Sequence, residues 1–124
     1  MTHKVLIADD EPNILISLEY LLVREGYRVS VARDGEEAFA AILRDKPALV
    51  LLDVMMPKKS GLEVCQELRA NDATRDTLVL MLTAKGRETD VAKGLCSGAD
   101  AYMTKPFSTK ELVSKVREIL EARA

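Results

Sequence analysis

The sequence ALVLLD, residues 48–53, is the strongest structural signal in the chain. Five consecutive apolar residues followed by a carboxylate are typical of a strand buried on both faces of a parallel sheet. Related apolar runs occur at 4–8, 27–32, 77–82 and 101–103. The chain is therefore predicted to contain five short strands. The second run alternates with polar residues and the fifth is short, so these two are the predicted edges of the sheet.

The segments between the runs carry apolar residues at spacings of three and four, which predicts helices. These stripes are Ile14, Leu18, Leu21 and Leu22; Ala38, Phe39 and Ile42; Leu62, Cys65 and Leu68; Val91, Ala92 and Leu95; and Leu112, Val116, Ile119 and Leu120. Strands that alternate with helices form βα units, whose right-handed crossovers place helices on both faces of the sheet. The predicted fold class is α/β, with a parallel sheet of order 2-1-3-4-5 flanked by five helices, the doubly wound arrangement of flavodoxin.

Polar residues mark the helix boundaries. Asp34, Ser60 and Ser108 are predicted N-caps, since each can accept a hydrogen bond from a free amide of the first helical turn. Glu111 follows Ser108 by three residues and completes a capping-box pattern. Gly26 is predicted to end the first helix.

Length and charge exclude several function classes. With 124 residues the chain is predicted to form one domain, 1–124. Its 18 basic and 20 acidic residues give a net charge of −2, and it lacks Trp, so direct nucleic-acid binding is not expected. Neither a membrane span nor a signal peptide is recognised, and a soluble, cytoplasmic protein is expected. Two widely spaced cysteines and one histidine argue against a zinc site.

Polar residues also follow the predicted strands. In this fold the ligand site lies beyond the carboxyl ends of the strands, where the strand order reverses. Asp9 and Asp10 follow the first strand, Asp53 the third, Thr83 the fourth and Lys105 the fifth. Clustered carboxylates repel one another, and Mg²⁺, which prefers oxygen ligands, would relieve that repulsion. Together with an ammonium and a hydroxyl, they predict a phosphoryl-transfer site in which the central Asp53 is the nucleophile.

The full set of motifs resembles the receiver domain of two-component response regulators, along essentially the whole chain. The matching stretches are ADDEP (8–12), LLDVMMPKKSGLE (51–63), LTAKG (82–86) and GADAYMTKPFSTKEL (98–112). Each motif alone is weak, but the set is highly specific. The resemblance is to a stand-alone receiver of the chemotaxis-regulator type, which implies that no effector is attached if the chain is complete.

The resemblance implies a role for each site residue. Asp53 would accept a phosphoryl group from the phosphohistidine of a sensor histidine kinase or from a phosphotransfer protein. Mg²⁺ would be held by Asp9, Asp10 and Asp53 and by the backbone carbonyl of Met55, with Asp10 the main direct ligand beside Asp53. Thr83 and Lys105 would bind the acyl phosphate. Such a domain is a signalling switch that promotes its own phosphorylation and dephosphorylation, and it is not an enzyme in the usual sense.

The resemblance also implies a switch. Thr83 would move toward the phosphate and Tyr102 would turn inward, shifting the 84–104 region and the face formed by the fourth helix, fifth strand and fifth helix. The Lys105–Pro106 bond is expected to be cis. Met55 and Lys85 would flank the path of the hydrolytic water. Since Met55 offers that water no hydrogen bond, slow self-dephosphorylation is expected.

Alternative functions are kept open. One is a docking module that works without phosphorylation. Another is an aspartyl-nucleophile phosphatase of the haloacid dehalogenase type, which needs a second acid where this chain has Met55. A flavodoxin-like cofactor binder is disfavoured because Asp9, Asp10 and Glu11 would repel a flavin phosphate. The output partner is a downstream protein that the sequence does not identify. Two interpretations of Lys110, Lys115 and Arg117 are kept. They could form the contacts of a phosphorylation-dependent homodimer, or they could simply be a charged face exposed to solvent.

Overall fold

Alternating strands and helices build one sheet with helices on both sides. The structure is a computed structural model that describes residues 3–84, 98–105 and 107–123. Its strands are β1 (Lys4–Ala8), β2 (Arg28–Ala32), β3 (Leu49–Asp53), β4 (Leu78–Ala84) and β5 (Ala101–Lys105). The helices within these ranges are α1 (Pro12–Arg24), α2 (Gly35–Asp45), α3 (Gly61–Ala70) and the C-terminal α4 (Thr109–Arg123).

The sheet has the predicted order β2-β1-β3-β4-β5, and all of its pairs are parallel. The prediction of central and edge strands is confirmed, because every residue of β3 is buried whereas β2 and β5 are mostly half-buried or exposed. Strands β4 and β5 extend two residues beyond their apolar runs, and Thr83 pairs with Thr104 and Ala84 with Lys105. The polar ends of these strands therefore belong to the sheet.

Helices cover the two faces in pairs. One face packs against α2 and α3 and the other against α1 and α4. Along β1, alternate residues face the two helical layers. Leu6 belongs to the apolar core beneath α2 and α3, and Ile7 to the core beneath α1 and α4. The sheet is thus buried on both sides, which explains why its central strands are continuously apolar.

Helix α1 differs from its predicted stripe. Its buried side chains are Leu15, Leu18 and Leu22, whereas Ile14 and Leu21 are half-buried. Because Ile14 and Leu21 are apolar as well, the periodicity predicts an apolar stripe on this helix but does not tell which of its residues are most buried.

The helix ends agree with the sequence. Asp34, Ser60 and Ser108 accept hydrogen bonds from the amides of Glu37, Glu63 and Glu111, at 2.8, 3.1 and 3.0 Å. Gly26 follows the C-cap of α1 with a φ of 94°.

Arg69 at the end of α3 ties together three segments. Its guanidinium donates to the carbonyl oxygens of Arg75 and Thr77 in the loop before β4, at 2.8 and 2.6 Å. It also donates to the carbonyl oxygen of Gly98 and to the carboxylate of Asp100, at 2.7 and 3.0 Å. Asp100 in turn accepts a hydrogen bond from the amide of Val79 at 2.8 Å. The chain that enters β5 is therefore fixed to β4 and α3.

Several predictions fall outside the described residues. These are the fourth predicted helix from residue 85 onward, Lys85 itself and the Lys105–Pro106 bond. The predicted total of five helices therefore stays a prediction, and the described part of the chain contains four.

Candidate functional site

The carboxyl ends of four strands bring the predicted polar residues to one edge of the sheet. Asp9 directly follows β1, Asp53 ends β3, Thr83 lies near the end of β4 and Lys105 ends β5. Asp9, Asp53 and Thr83 are almost fully buried, and Asp10 beside them is exposed. The sheet order places β1 and β3 side by side, so the acids of both strands become neighbours.

Lys105 is the cation of this cluster. Its ammonium lies 2.7 Å from Oδ2 of Asp9 and 3.6 Å from Oδ2 of Asp53. Burial alone would lower the pKa of Lys105, but its hydrogen bond to Asp9 and the charges of Asp53, Asp9 and Glu11 together raise that pKa. Lys105 therefore stays charged and partly balances the acids around it.

The pKa of Asp53 is shifted by burial and by neighbouring charges. Burial and then the charge of Asp9 raise its pKa to about 6, with a further contribution from Asp10. The charge of Lys105 and a hydrogen bond from the amide of Met55 act in the opposite direction. A carboxylate with a raised pKa is more basic than an ordinary one, and such groups are concentrated at functional sites.

Three acids form a set that is suited to a cation. Asp9, Asp10 and Asp53 each contribute one carboxylate oxygen, and these oxygens all lie within 4.8 Å of one another. Hard carboxylate oxygens at a partly open site are the donors that Mg²⁺ prefers, and the exposed Asp10 leaves the cluster accessible. Because Lys105 is the one cation paired with these acids in the described residues, negative charge remains for an ion to neutralise. The donor set therefore fits Mg²⁺.

Thr83 supplies a buried hydroxyl without a visible partner. Its Oγ1 makes no hydrogen bond within the described part of the chain, and the residue is 1 % exposed. A buried polar atom left unpaired costs free energy, so such an atom at a site is ready to bind an added group.

Backbone contacts of the loop after β3 and of the start of α3 fix the position of Asp53. The amide of Met55 donates to Oδ1 of Asp53 at 3.3 Å, and the amide of Gly61 donates to the carbonyl of Val54 at 2.8 Å. A Cβ atom on Gly61 would lie only 2.2 Å from the carbonyl oxygen of Asp53. The start of α3 therefore packs directly on the backbone of Asp53. Met55 itself is 53 % exposed.

Sequence reasoning missed two contributors. The need for Gly61 comes from a close backbone approach, and its only signal in the sequence is a glycine directly after the predicted N-cap Ser60. The second is the pairing of Lys105 with Asp9, which depends on how the strand ends meet across the sheet, because β3 and β4 lie between β1 and β5. Tyr102, the predicted switch residue, lies on β5 and is 46 % exposed. Lys85 and Pro106 were also predicted for this region, but they lie outside the described residues.

Comparison with known proteins gives a consistent result. The family model "Response regulator receiver domain" matches residues 5–117. The alkaline phosphatase synthesis transcriptional regulatory protein PhoP of Bacillus subtilis is 49 % identical over 120 residues, which cover 97 % of this chain and 49 % of PhoP. The transcriptional regulatory protein CpxR of Klebsiella pneumoniae is 49 % identical over 118 residues, covering 95 % of this chain and 49 % of CpxR. The chain thus spans about half the length of these curated relatives.

A solved structure agrees in fold as well as in sequence. The CheY-like response regulator receiver domain protein of Methanospirillum hungatei superposes with a TM-score of 0.92 at 30 % sequence identity, over 98 % of this chain and 96 % of that chain.

Among the helices that the structure describes, none is long and apolar enough to cross a membrane.

Proposed function

This chain belongs to the response regulator receiver domain family, the phosphoacceptor signalling switches of two-component systems, and we propose that Asp53 is its phosphoacceptor. The proposal takes residues 1–124 as one receiver domain. The observation that carries it is the position of Asp53 on the central strand, buried beside Asp9, with the ammonium of Lys105 3.6 Å away. Because the pKa of Asp53 is raised to about 6, its carboxylate is basic yet largely ionised at neutral pH.

The reaction needs few protein groups. An oxygen of Asp53 attacks the phosphorus of a phosphohistidine, so an O–P bond forms as the N–P bond breaks. The histidine nitrogen leaves with the electron pair of the broken bond. Lys105 balances charge on the phosphoryl oxygens, and the buried hydroxyl of Thr83 donates a hydrogen bond to one of them. Lys105 is bound to Asp9 before the reaction, so it must lengthen or share that contact.

Asp9, Asp10 and Asp53 would hold Mg²⁺, together with the backbone carbonyl of Met55. When bound, the ion would neutralise negative charge on the acids and on the incoming phosphoryl group. Asp10 is the exposed member of the set, which supports the proposal that it is a direct ligand. Asp9 is fully buried and already paired with Lys105, so its contribution would be made mainly through its charge.

We assign the switch to Thr83 and Tyr102. Thr83 would move toward the phosphoryl group, and Tyr102, now 46 % exposed, would turn inward. The 84–104 region and the face around β5 would change with them and alter partner binding. Met55 and Lys85 would set the lifetime of the phosphate. The cis form of the Lys105–Pro106 bond belongs to the same proposal.

Response regulators interact with histidine kinases or phosphotransfer proteins, and such a protein is the proposed donor here. Both curated relatives are named transcriptional regulatory proteins, which supports an output through a downstream partner. A cytoplasmic location and self-catalysed dephosphorylation are parts of the same proposal. A homodimer would rely on Lys110 and Lys115, because Arg117 already pairs with Glu25 of its own chain at 2.8 Å.

The experiment is mass spectrometry of the intact protein after incubation with acetyl phosphate and Mg²⁺. Wild type should gain one phosphate, Asp53→Asn none, and the surface control Glu118→Gln one. Equal labelling of Asp53→Asn would show that another residue is the acceptor. A wild-type protein that is folded but gains no phosphate would favour the docking module that needs no phosphorylation.

A further inference from the structure

The loop between β3 and α3, residues 54–60, is held in place by side chains that the proposed reaction does not use. Its first part contacts the site directly, because the amide of Met55 donates to Oδ1 of Asp53 at 3.3 Å. The orientation of the Asp53 carboxylate therefore depends on the conformation of this loop. Its outer part contacts α2 and α3.

The backbone of the outer part packs on the start of α2. The amide of Gly35 donates to the carbonyl oxygen of Pro57 at 3.3 Å, and the amide of Lys59 donates to the same oxygen at 2.8 Å. A Cβ atom on Gly35 would lie 2.2 Å from the carbonyl oxygen of Lys59. Lys58 has a left-handed φ of 69°, so the chain turns sharply at this point.

The side chain of Lys59 connects the two helices. Its ammonium lies 2.8 and 2.7 Å from the two carboxylate oxygens of Glu67 on α3. It also lies 5.2 Å from the centre of the Phe39 ring on α2, within the range of a cation–π interaction. The side chain of Lys59 is 28 % exposed and that of Glu67 is 41 % exposed, so solvent screens this ion pair only in part.

Lys58 provides a useful contrast. Its ammonium lies 3.7 Å from one carboxylate oxygen of Asp34, and its side chain is 58 % exposed. The two lysines are adjacent in one loop and carry the same charge, but only Lys59 has close contacts with both α2 and α3.

We infer that Lys59 is a positioning residue, which holds the loop of residues 54–60 through Glu67 and Phe39 so that the loop keeps the Asp53 carboxylate in its binding orientation. The inference rests on the proposed function, since it assigns to Lys59 an effect on how this site binds Mg²⁺ and accepts a phosphoryl group. The ammonium of Lys59 pairs with Glu67 and, among the described residues, with none of the site acids.

The sign of one measurement separates positioning from simple electrostatics. Removing a positive charge near a cation site should strengthen Mg²⁺ binding, because repulsion is reduced. Loss of positioning should instead weaken it. We therefore propose calorimetric titration with MgCl₂ alone on folded wild type, Lys59→Gln and Lys58→Gln. We expect Lys59→Gln to bind Mg²⁺ about tenfold more weakly, the lower end of the effects of supporting residues at metal sites. Lys58→Gln should bind as tightly as wild type or more tightly.

Two further variants test the route of the effect. Lys59→Arg keeps the charge and both contacts, so it should restore nearly wild-type Mg²⁺ affinity. Because Lys59 acts through Glu67, the double variant Lys59→Gln/Glu67→Gln should bind no more weakly than Lys59→Gln alone. The rate of phosphorylation by acetyl phosphate should follow the same order. If Lys59→Gln does not fold, Phe39→Leu removes the ring contact without changing any charge and should also weaken binding.

Mg²⁺ binding by Lys59→Gln that is as tight as that of Lys58→Gln would overturn the inference. The proposed function fails separately, if wild type itself neither binds Mg²⁺ nor gains a phosphate.

Discussion

The ammonium of Lys105 and the buried carboxylate of Asp9 lie 2.7 Å apart, although 96 positions separate them in the sequence. Asp9 also accepts a hydrogen bond from the amide of Glu11 at 2.9 Å, so both of its oxygens are engaged. Lys105 is thus held 3.6 Å from Asp53 by Asp9, which directly follows β1. Its partner in this structure is Asp9, and its proposed partner after the reaction is the phosphoryl group on Asp53.

This pair predicts a defined loss of stability. Lys105→Met leaves Asp9 buried without its cation, which should lower the free energy of unfolding by about 3–5 kcal/mol. In Asp9→Asn/Lys105→Met most of that loss should be recovered, because no unpaired charge remains. Urea unfolding in the presence of EDTA measures the free energy of unfolding of the single and the double variant. Additive losses in the double variant would contradict a direct interaction. Added Mg²⁺ should raise the melting temperature of Lys105→Met more than that of wild type, since the ion replaces the missing charge.

Asp53 predicts a dependence of stability on pH. Its folded pKa of about 6 lies above the ordinary value, so between pH 4 and 6 the folded state binds more protons than the unfolded state. Stability from this group is therefore present below about pH 4 and is lost as the pH rises through 6. Without Mg²⁺, Asp53→Asn should be more stable than wild type at pH 7.5 by roughly 1–3 kcal/mol, and the difference should vanish near pH 4.

Denaturant unfolding in EDTA at several pH values checks this prediction. Glu118→Gln on the surface of α4 is the control for loss of one negative charge, and it should show little difference from wild type at any pH. A stability difference for Asp53→Asn that is independent of pH would contradict the assigned titration.

Two buried threonines form a matched pair. The hydroxyl of Thr83 has no partner among the described residues, whereas that of Thr74 donates to the carbonyl oxygen of Leu68 at 2.9 Å. Thr83→Val should leave the free energy of unfolding unchanged or raise it by up to about 1 kcal/mol, and Thr74→Val should lower it by about 1 kcal/mol. Only Thr83→Val should weaken the thermal stabilisation produced by Mg²⁺ with beryllofluoride. The reverse stability order would show that Thr83 is bonded in the resting state.

Met55 predicts the lifetime of the phosphate. Met55 is 53 % exposed and its amide contacts Asp53, so we expect its side chain to shield an acyl phosphate from water. Met55→Asn would offer water a hydrogen bond, and we expect the phosphoprotein to decay about tenfold faster, a change of roughly 1.4 kcal/mol in barrier height. A chase after acetyl phosphate removal measures the decay, with Met55→Leu as the apolar control. Equal decay of all three proteins would exclude a role for this side chain.

The apolar runs predicted the sheet well because β1, β3 and β4 are buried on both faces, which leaves no ambiguity about their character. They predicted the polar edge of the site for the same reason, since Asp9 and Asp53 come where such runs stop. The orientation of α1 was less predictable, because Leu15 and the half-buried Ile14 are both apolar.

Contacts between distant segments lay beyond sequence reasoning. The five hydrogen bonds from Arg69 to the loop before β4 and to residues 98 and 100 depend on how α3 ends relative to β5. The contact of Lys59 with Phe39 likewise depends on how α2 and α3 pack together. Periodicity specifies which face of an element is buried, but it does not specify which polar side chains reach across to a neighbouring element.

The separation of Asp9 and Lys105 along the chain also has a consequence for protein synthesis. Asp9 and its neighbouring acids leave the ribosome first, and Lys105 follows 96 residues later, after roughly 5–20 s of translation. Helix α4, which covers the same face of the sheet as α1, is made later still. A nascent chain therefore carries the clustered acids before it carries their cation, and burial of Asp9 should be among the last steps in forming the native domain.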